Sequence, residues 1–347
     1  MLNDRIEAKW IDTFDRLFEL CQVRQGEAAV ILSETQSRPL NVHLAELALL
    51  RRTRDVFHIV MPTPVQSAPV PVRSTGASVA LQRNARAVAA LAASGIVVDL
   101  TVEGLMHAPE TPGILKGGAR IINISNEHPE ALERLLPDEA LKERVNAARK
   151  RLKAARRMTV TSAAGTDLVA ELEGAVVAGV YGFADRPGML SHMPGGIVIA
   201  FPAAGAVNGR LVLAPGDVNL TFKRYLERPV TLTIEADYVT GVEGDGTDAE
   251  LMRRSFAAWG DREAYATSHV GWGLNEAARY EALAMYDKRD TNGTELRAWA
   301  GNFLYSTGAN EFAGRYTEGH FDMPVGGCTI ALDGVEVVRD GALVDAS

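Results

Sequence analysis

Seven histidines, His43, His58, His107, His128, His192, His269 and His320, are the residues of this sequence best suited to proton transfer or metal binding near neutral pH. Three have ordinary surroundings: His43 falls in a helical stretch, His58 inside an apolar strand-like run, and His128 before a proline in SNEHPEAL. The other four stand in Gly- or Pro-rich contexts, GLMHAPETPG, MLSHMPGGI, TSHVGWGLN and EGHFDMPVGG, the texture of loops that a scaffold presents for chemistry. Among them His320-Phe321-Asp322 is the sharpest local feature. In an extended segment residues i and i+2 share a face, so the His320 imidazole and the Asp322 carboxylate can converge on one ion with Phe321 packed behind. His269, followed by Gly271 and Gly273 that permit close backbone approach, is the candidate third ligand. Two imidazoles and one carboxylate form a facial triad that leaves positions open on Fe(II) for a bidentate substrate and dioxygen. An isolated His-x-Asp also reads as a hydrogen-bonded turn histidine, and the residues by themselves leave both readings open.

Other chemistries lack their minimum equipment. No GxSxG, GxxxxGK[ST] or HExxH occurs, which removes a nucleophile elbow, a phosphate-cradling loop and a zincin helix. No predicted strand of the first half runs into GxGxxG, so a dinucleotide cofactor is unsupported. Cys21 and Cys328 lie near opposite ends of the sequence without metal-ligand spacing, against both a disulfide scaffold and a structural zinc site. With 36 Lys and Arg against 44 Asp and Glu, the net charge of −8 repels phosphate backbones and anionic lipid. Neither nucleic acid nor a membrane is an expected partner.

These residues need a scaffold, and the sequence has length for one. At 347 residues it is about twice the usual domain size, and a 47% hydrophobic, 23% charged composition belongs to globular proteins. Its opening MLNDRIEAKW places charges before any apolar run, and no apolar stretch approaches the roughly 20 residues of a membrane span, so a cytoplasmic protein with reduced thiols is expected. Residues 1–155 alternate helical spacing (Ile6, Trp10, Phe14, Leu17, Cys21; Val42 to Leu50; Val79 to Ala93) with apolar runs at 28–32, 55–62, 95–100 and 119–125. Such runs predict a mainly parallel sheet buried on both faces, hence a three-layer α/β domain. Ser33, Glu34 and Thr35, closing the first run, lie where open α/β sheets bind ligands. PTPVQSAPVPV at 62–72 is the one Pro-rich segment, expected as a long connection or lid. From Pro137 a helix carries Leu141, Val145, Ala148, Leu152 and Ala155 on one face and bridges to the second domain; its basic end, Arg149 to Arg157, reads as a solvated face. Residues 156–347 hold short strands punctuated by Gly, Pro and Asp, helices in AELMRRSFAAWG and NEAARYEALAMYD, and a closing hairpin with DG turns. They predict a strand-rich α+β domain that carries the metal site.

SHVGWGLNEAA at 268–278 and GHFDMPV at 319–325 resemble the paired signature of the 2,5-dihydroxypyridine 5,6-dioxygenases. These are Fe(II) enzymes of nicotinate and pyridine catabolism, and they share a fold with the aminopeptidase T-like metallopeptidases. VILSETQSRPLNVHLAELAL at 30–49, GLMHAPETP at 104–112 and LSHMPGGIVIAFPAAGAVNG at 190–209 extend the likeness, in the same order, over nearly the whole chain. The resemblance implies Fe(II) held by His269, His320 and Asp322, with His107 and His192 as acid/base and substrate-orienting groups. It also implies substrate contacts from Met106 and from Ser306, which the sequence STG places in a turn. The implied reaction is opening of 2,5-dihydroxypyridine by O2 between C5 and C6 to N-formylmaleamate, in a homo-oligomer. The peptidases hold two ions and need a glutamate in the strand after the SHMPGG-like turn, which here reads IVIAFP, so one ion is expected. A metallohydrolase and a non-catalytic ligand-binding relative are the alternatives. Trp272, between two glycines, is read as core and left out of the site.

Overall fold

The computed structural model describes residues 4–65 and 79–344, so the Pro-rich connection lies outside the described residues from 66 onward. The first half runs α1 (Ala8–Leu20), β1 (Ala29–Glu34), α2 (Pro39–Arg52), β2 (Val56–Met61), α3 (Ala85–Ala92), β3 (Ile96–Asp99), α4 (Thr111–Lys116), β4 (Arg120–Ile124), α5 (Pro129–Arg134) and α6 (Glu139–Ala154). Every residue of β1 is buried, and alternate side chains serve two cores. Ala29 and Ile31 pack with Phe14, Leu17 and Leu44 of α1 and α2, whereas Val30 and Leu32 pack with Leu91 and Ile114 of α3 and α4. That is the three-layer arrangement that the apolar runs predict, with β1, β2, β3 and β4 parallel. β2 departs from the expectation of strands buried on both sides. It is the edge strand, so Phe57, His58 and Val60 stay exposed. The helix expected from Val79 starts at Ala85, because the Asn84 side chain caps it by accepting from the N–H groups of Arg86 and Ala87 while residues 80–83 form turns.

α6 begins where Asp138 accepts the Leu141 N–H at 2.7 Å, a cap worth about 1 kcal/mol, and ends with Arg151 and Lys153 in its last turn. Its buried face, Leu141, Val145, Ala148 and Leu152, lies on the second half of the chain. There β5 (Arg157–Ser162), β6 (Asp167–Glu171), β7 (Val176–Val180), β8 (Leu190–Met193), β9 (Ile197–Phe201), β10 (Val207–Leu213), β11 (Val218–Asn219), β12 (Arg224–Tyr225), β13 (Val230–Glu235) and β14 (Tyr238–Glu243) follow in order. After α7 (Thr247–Trp259) come β15 (Thr267–Gly273), α8 (Ala282–Met285), α9 (Thr294–Ala298), β16 (Phe303–Asn310), β17 (Arg315–Val325), β18 (Cys328–Leu332), β19 (Val335–Arg339) and β20 (Ala342–Leu343). They build an eight-stranded antiparallel sheet, β14-β13-β10-β6-β5-β18-β19-β20, and a five-stranded one, β17-β16-β15-β9-β7. α6 packs against β7 and β9 of the latter.

The boundary expected at 155/156 coincides with the end of α6, yet one strand crosses it. β8 returns to the first sheet and pairs in parallel with β4, Ile121 opposite Leu190 and Asn123 opposite His192. The closing hairpins turn at Asp333-Gly334 and Asp340-Gly341, with both residues of each pair at positive φ, as a two-residue turn with the right-handed twist requires. The helix expected over NEAARYEALAMYD shrinks to Ala282–Met285. Asn275 is taken by tertiary bonds instead: its N–H donates to the Ala298 carbonyl at 2.9 Å and its Nδ2 to the Gly195 carbonyl at 2.9 Å, and these outweigh helix propensity. No helix of the described residues is long and apolar enough to cross a membrane.

Candidate metal centre

β15, β16 and β17 lie side by side, and their register sets His269 opposite Ser306 and Ser306 opposite Asp322. Directly opposed residues of a sheet share a face, so these side chains form one row, joined by His320 two residues before Asp322. One ligand atom from each of His269, His320 and Asp322 lies within 4.8 Å of the others. His320 Nε2 stands 3.0 Å and His269 Nε2 3.8 Å from Asp322 Oδ1. Phe321 points the other way and stacks on Phe256, ring centres 5.4 Å apart, as the spacing predicts. Glycines bring the strands this close. A Cβ on Gly271 would meet the Val198 carbonyl oxygen at 1.9 Å, and one on Gly308, at φ +126°, would meet the Gly319 carbonyl oxygen at 2.3 Å. Ser306 therefore sits inside strand β16 and not in a turn: STG is a strand segment whose glycine is demanded by the neighbouring backbone.

Charge is arranged around Asp322. Its Oδ1 accepts from the Ser306 hydroxyl, and its Oδ2 pairs with Arg297 Nε of α9 at 2.5 Å. Burial alone would raise its pKa, but the charges of His320 and Arg297 outweigh burial and hold the carboxyl well below the usual range. Burial drives the His269 pKa down to about 3, so its ring is neutral, the form a metal requires. His269 Nδ1 is buried with no hydrogen-bond partner among the described residues. Two imidazoles and an ionised carboxylate, with an orphaned ring nitrogen among them, fit a divalent cation of the borderline class to which Fe(II) belongs.

His107 and His192 reach the row from the first sheet. The loop after β3 brings the His107 ring to 5.5 Å from that of His320. Buried Asp99 pins this loop, accepting from the Leu105 N–H at 2.6 Å and from Thr101 and Asn123. His107 also lines a surface cleft of about 610 Å3. His192, on β8, places Nδ1 2.7 Å from the Pro194 carbonyl oxygen. A carbonyl only accepts, so Nδ1 carries the hydrogen and Nε2 is left with its lone pair. Burial lowers both pKa values to about 4, and His192 feels the charges of Arg297 and Asp322. Met106 is half-buried beside His107, and Trp272 is core, 1% exposed. Ser33, Glu34 and Thr35 stand apart from the row: Ser33 pairs with His58 at 2.7 Å and Glu34 accepts the Val102 N–H.

The family model for 2,5-dihydroxypyridine 5,6-dioxygenase matches residues 9–345. The chain belongs to this family. A 2,5-dihydroxypyridine 5,6-dioxygenase of Pseudomonas putida is 37% identical over 341 residues, covering 97% of this chain and 96% of that one. The solved structure of 2,5-dihydroxypyridine dioxygenase from Pseudomonas putida KT2440 superposes with a TM-score of 0.91 at 35% identity, over 100% of this chain and 99% of the other. Wild-type AmpT from Thermus thermophilus, at 14% identity, matches with a TM-score of 0.62 over 97% of this chain and 100% of its own, which shows the shared fold. In this member of the dioxygenase family the strand that reads IVIAFP is β9, and its Phe201 ring meets the His269 ring edge-on at 5.5 Å. An aromatic ring thus lines the flank of His269. Sequence reasoning misses Arg297, Asp99 and Phe201. Phe201 alone has a signal, as the last apolar residue before Pro202 in a strand without a carboxylate.

Proposed function

We propose that the protein is a mononuclear Fe(II) ring-cleaving dioxygenase whose substrate is 2,5-dihydroxypyridine and whose product is N-formylmaleamate. The observation that carries this reading is the row His269, Ser306, Asp322 with His320 beside it, in a chain of this family. When bound by His269, His320 and Asp322, Fe(II) supplies open coordination positions and redox reach for uniting an electron-rich ring with dioxygen. The protein's own groups handle protons and position. The ring hydroxyls must lose a proton to become electron-rich, and neutral His107 and His192, the latter through Nε2, are the acceptors within the pocket. Ser306 has spent its proton on Asp322 Oδ1, so toward substrate it is an acceptor only. Arg297 fixes the second carboxylate oxygen and keeps the ligand charged. Phe201 and the half-buried Met106 are the apolar groups placed to flank a flat ring, and the ring of Phe201 shields His269 from water.

The deciding experiment is oxygen-dependent loss of 2,5-dihydroxypyridine absorbance by anaerobically purified, Fe(II)-loaded protein, beside Asp322→Ala, with metal per chain quantified. Rapid loss that needs one iron and Asp322 supports the reading. Absence of loss at one iron per chain removes this substrate, and two ions per chain removes the mononuclear site.

A further inference from the structure

A second polar cleft, of about 540 Å3, opens where the C-terminal ends of the first sheet's strands meet the segment leading into α9. The strand order β2-β1-β3 means that the chain leaves β1 toward β2 on one side and returns to β3 on the other. Such a reversal leaves a crevice beyond the carboxyl ends of the two central strands, where open α/β sheets bind ligands. Thr35, Gln36 and Ser37 follow β1 directly, Val102 follows β3, Asn126 follows β4, and all line the cleft. No residue of the candidate metal centre does.

The lining is cationic for a chain of net charge −8: Arg38, Lys223, Lys288 and Arg289 line the cleft with one acid, Asp4, and Asp290 pairs with Arg38 from outside the lining. Arg38 sits at the N-terminus of α2, whose first-turn N–H groups add the positive end of the helix dipole. Its side chain is 10% exposed; Nη2 holds Asp290 at 2.7 Å and Nη1 holds Asp4 at 3.1 Å, while Nε is buried with no hydrogen-bond partner among the described residues. The Lys223 ammonium donates to the carbonyl oxygens of Lys288 and Thr291 at 2.9 and 2.6 Å, so one of its three N–H donors has no partner among the described residues. Burial lowers the Lys223 pKa, a cost that a bound anion would offset.

We propose that this cleft binds a compact dianion, either phosphate or a short-chain dicarboxylate. Guanidinium and ammonium donors around a shared space match the oxygens of either group, and four cations against Asp4 and the Asp290 paired with Arg38 leave a surplus of two positive charges for a dianion. Among the described residues no aromatic side chain lines the cleft, so nothing there favours a flat ring such as the pyridine substrate.

Isothermal titration of the full-length, iron-loaded protein with inorganic phosphate, and separately with succinate, tests the site. Saturable one-to-one binding of at least one anion is expected, weakened about tenfold or more in Lys288→Gln/Arg289→Gln. Both replaced side chains are exposed, so this variant should keep the wild-type melting temperature without either anion. Binding of phosphate alone or of succinate alone identifies the source of the dianion. Absence of binding by both, unchanged affinity in the double variant, or binding that disappears in Asp322→Ala and so belongs to the metal centre, would each overturn the proposal.

Discussion

The Asp322 carboxylate has every oxygen engaged: Ser306 and His320 at Oδ1, Arg297 at Oδ2. Asp322→Asn preserves its shape and removes its charge. We expect metal per chain to fall close to zero, and the rise in melting temperature that added Fe(II) gives the wild type to vanish; an unchanged rise would mean that the ion sits elsewhere. His192 has a different signature, because in the proposed mechanism it takes a proton and is not a ligand. His192→Asn should retain iron while kcat drops by a factor on the order of 10² to 10⁴, measured under saturating oxygen. The same residue sets a pH dependence. Folded His192 stays neutral down to about 4 because it is buried. Unfolded, it binds a proton below roughly 6.5, so between these values the unfolded chain carries the extra proton and stability falls as pH falls. Melting of the iron-free protein between pH 7 and 4 should show this slope, to which the buried His107 and His269 add with the same sign, and His192→Asn should make it shallower without abolishing it. At this scale His320 and Asp322 are legible in the sequence because i and i+2 on a strand share a face whatever the fold. Arg297 is not, since a short helix brings it across 25 positions of chain to Asp322 with no period to announce it.

Among the elements, β15 is buried at every residue and packed between β9 and β16, so its glycines are structural requirements. Gly271→Ala puts a methyl group 1.9 Å from the Val198 carbonyl oxygen, backbone that cannot swing aside. A loss of about 3 kcal/mol or more in urea unfolding is expected, with weakened metal binding because His269 lies two residues away; a variant within about 0.5 kcal/mol of wild type would show that the strands separate freely. The parallel strands of the first half are readable from sequence because burial on both faces writes unbroken aliphatic runs such as AAVIL. Residues 275–287 mislead for the complementary reason. Their apolar spacing suits a helix, but Asn275 finds better bonds to Ala298 and Gly195, contacts no local pattern encodes.

For the whole molecule, the strand that matters is β8, which leaves the second half to complete the first sheet beside β4. It also delivers His192, so catalysis in this reading draws on both halves at once. A fragment of residues 1–155 lacks β8 and exposes the β4 edge, with Ile121 and Ile122 uncovered on that side. Expressed alone it should be aggregated or non-cooperative in thermal melting, whereas a sharp transition would show the first half to be autonomous. The same strand puts an order on biosynthesis. A growing chain can form β1 to β4 while still on the ribosome, but the sheet keeps an open edge until residues 190–193 emerge. The nascent protein therefore passes through an interval in which its oldest part waits, sticky and unfinished, for a strand not yet translated, and this is where chaperone demand should concentrate.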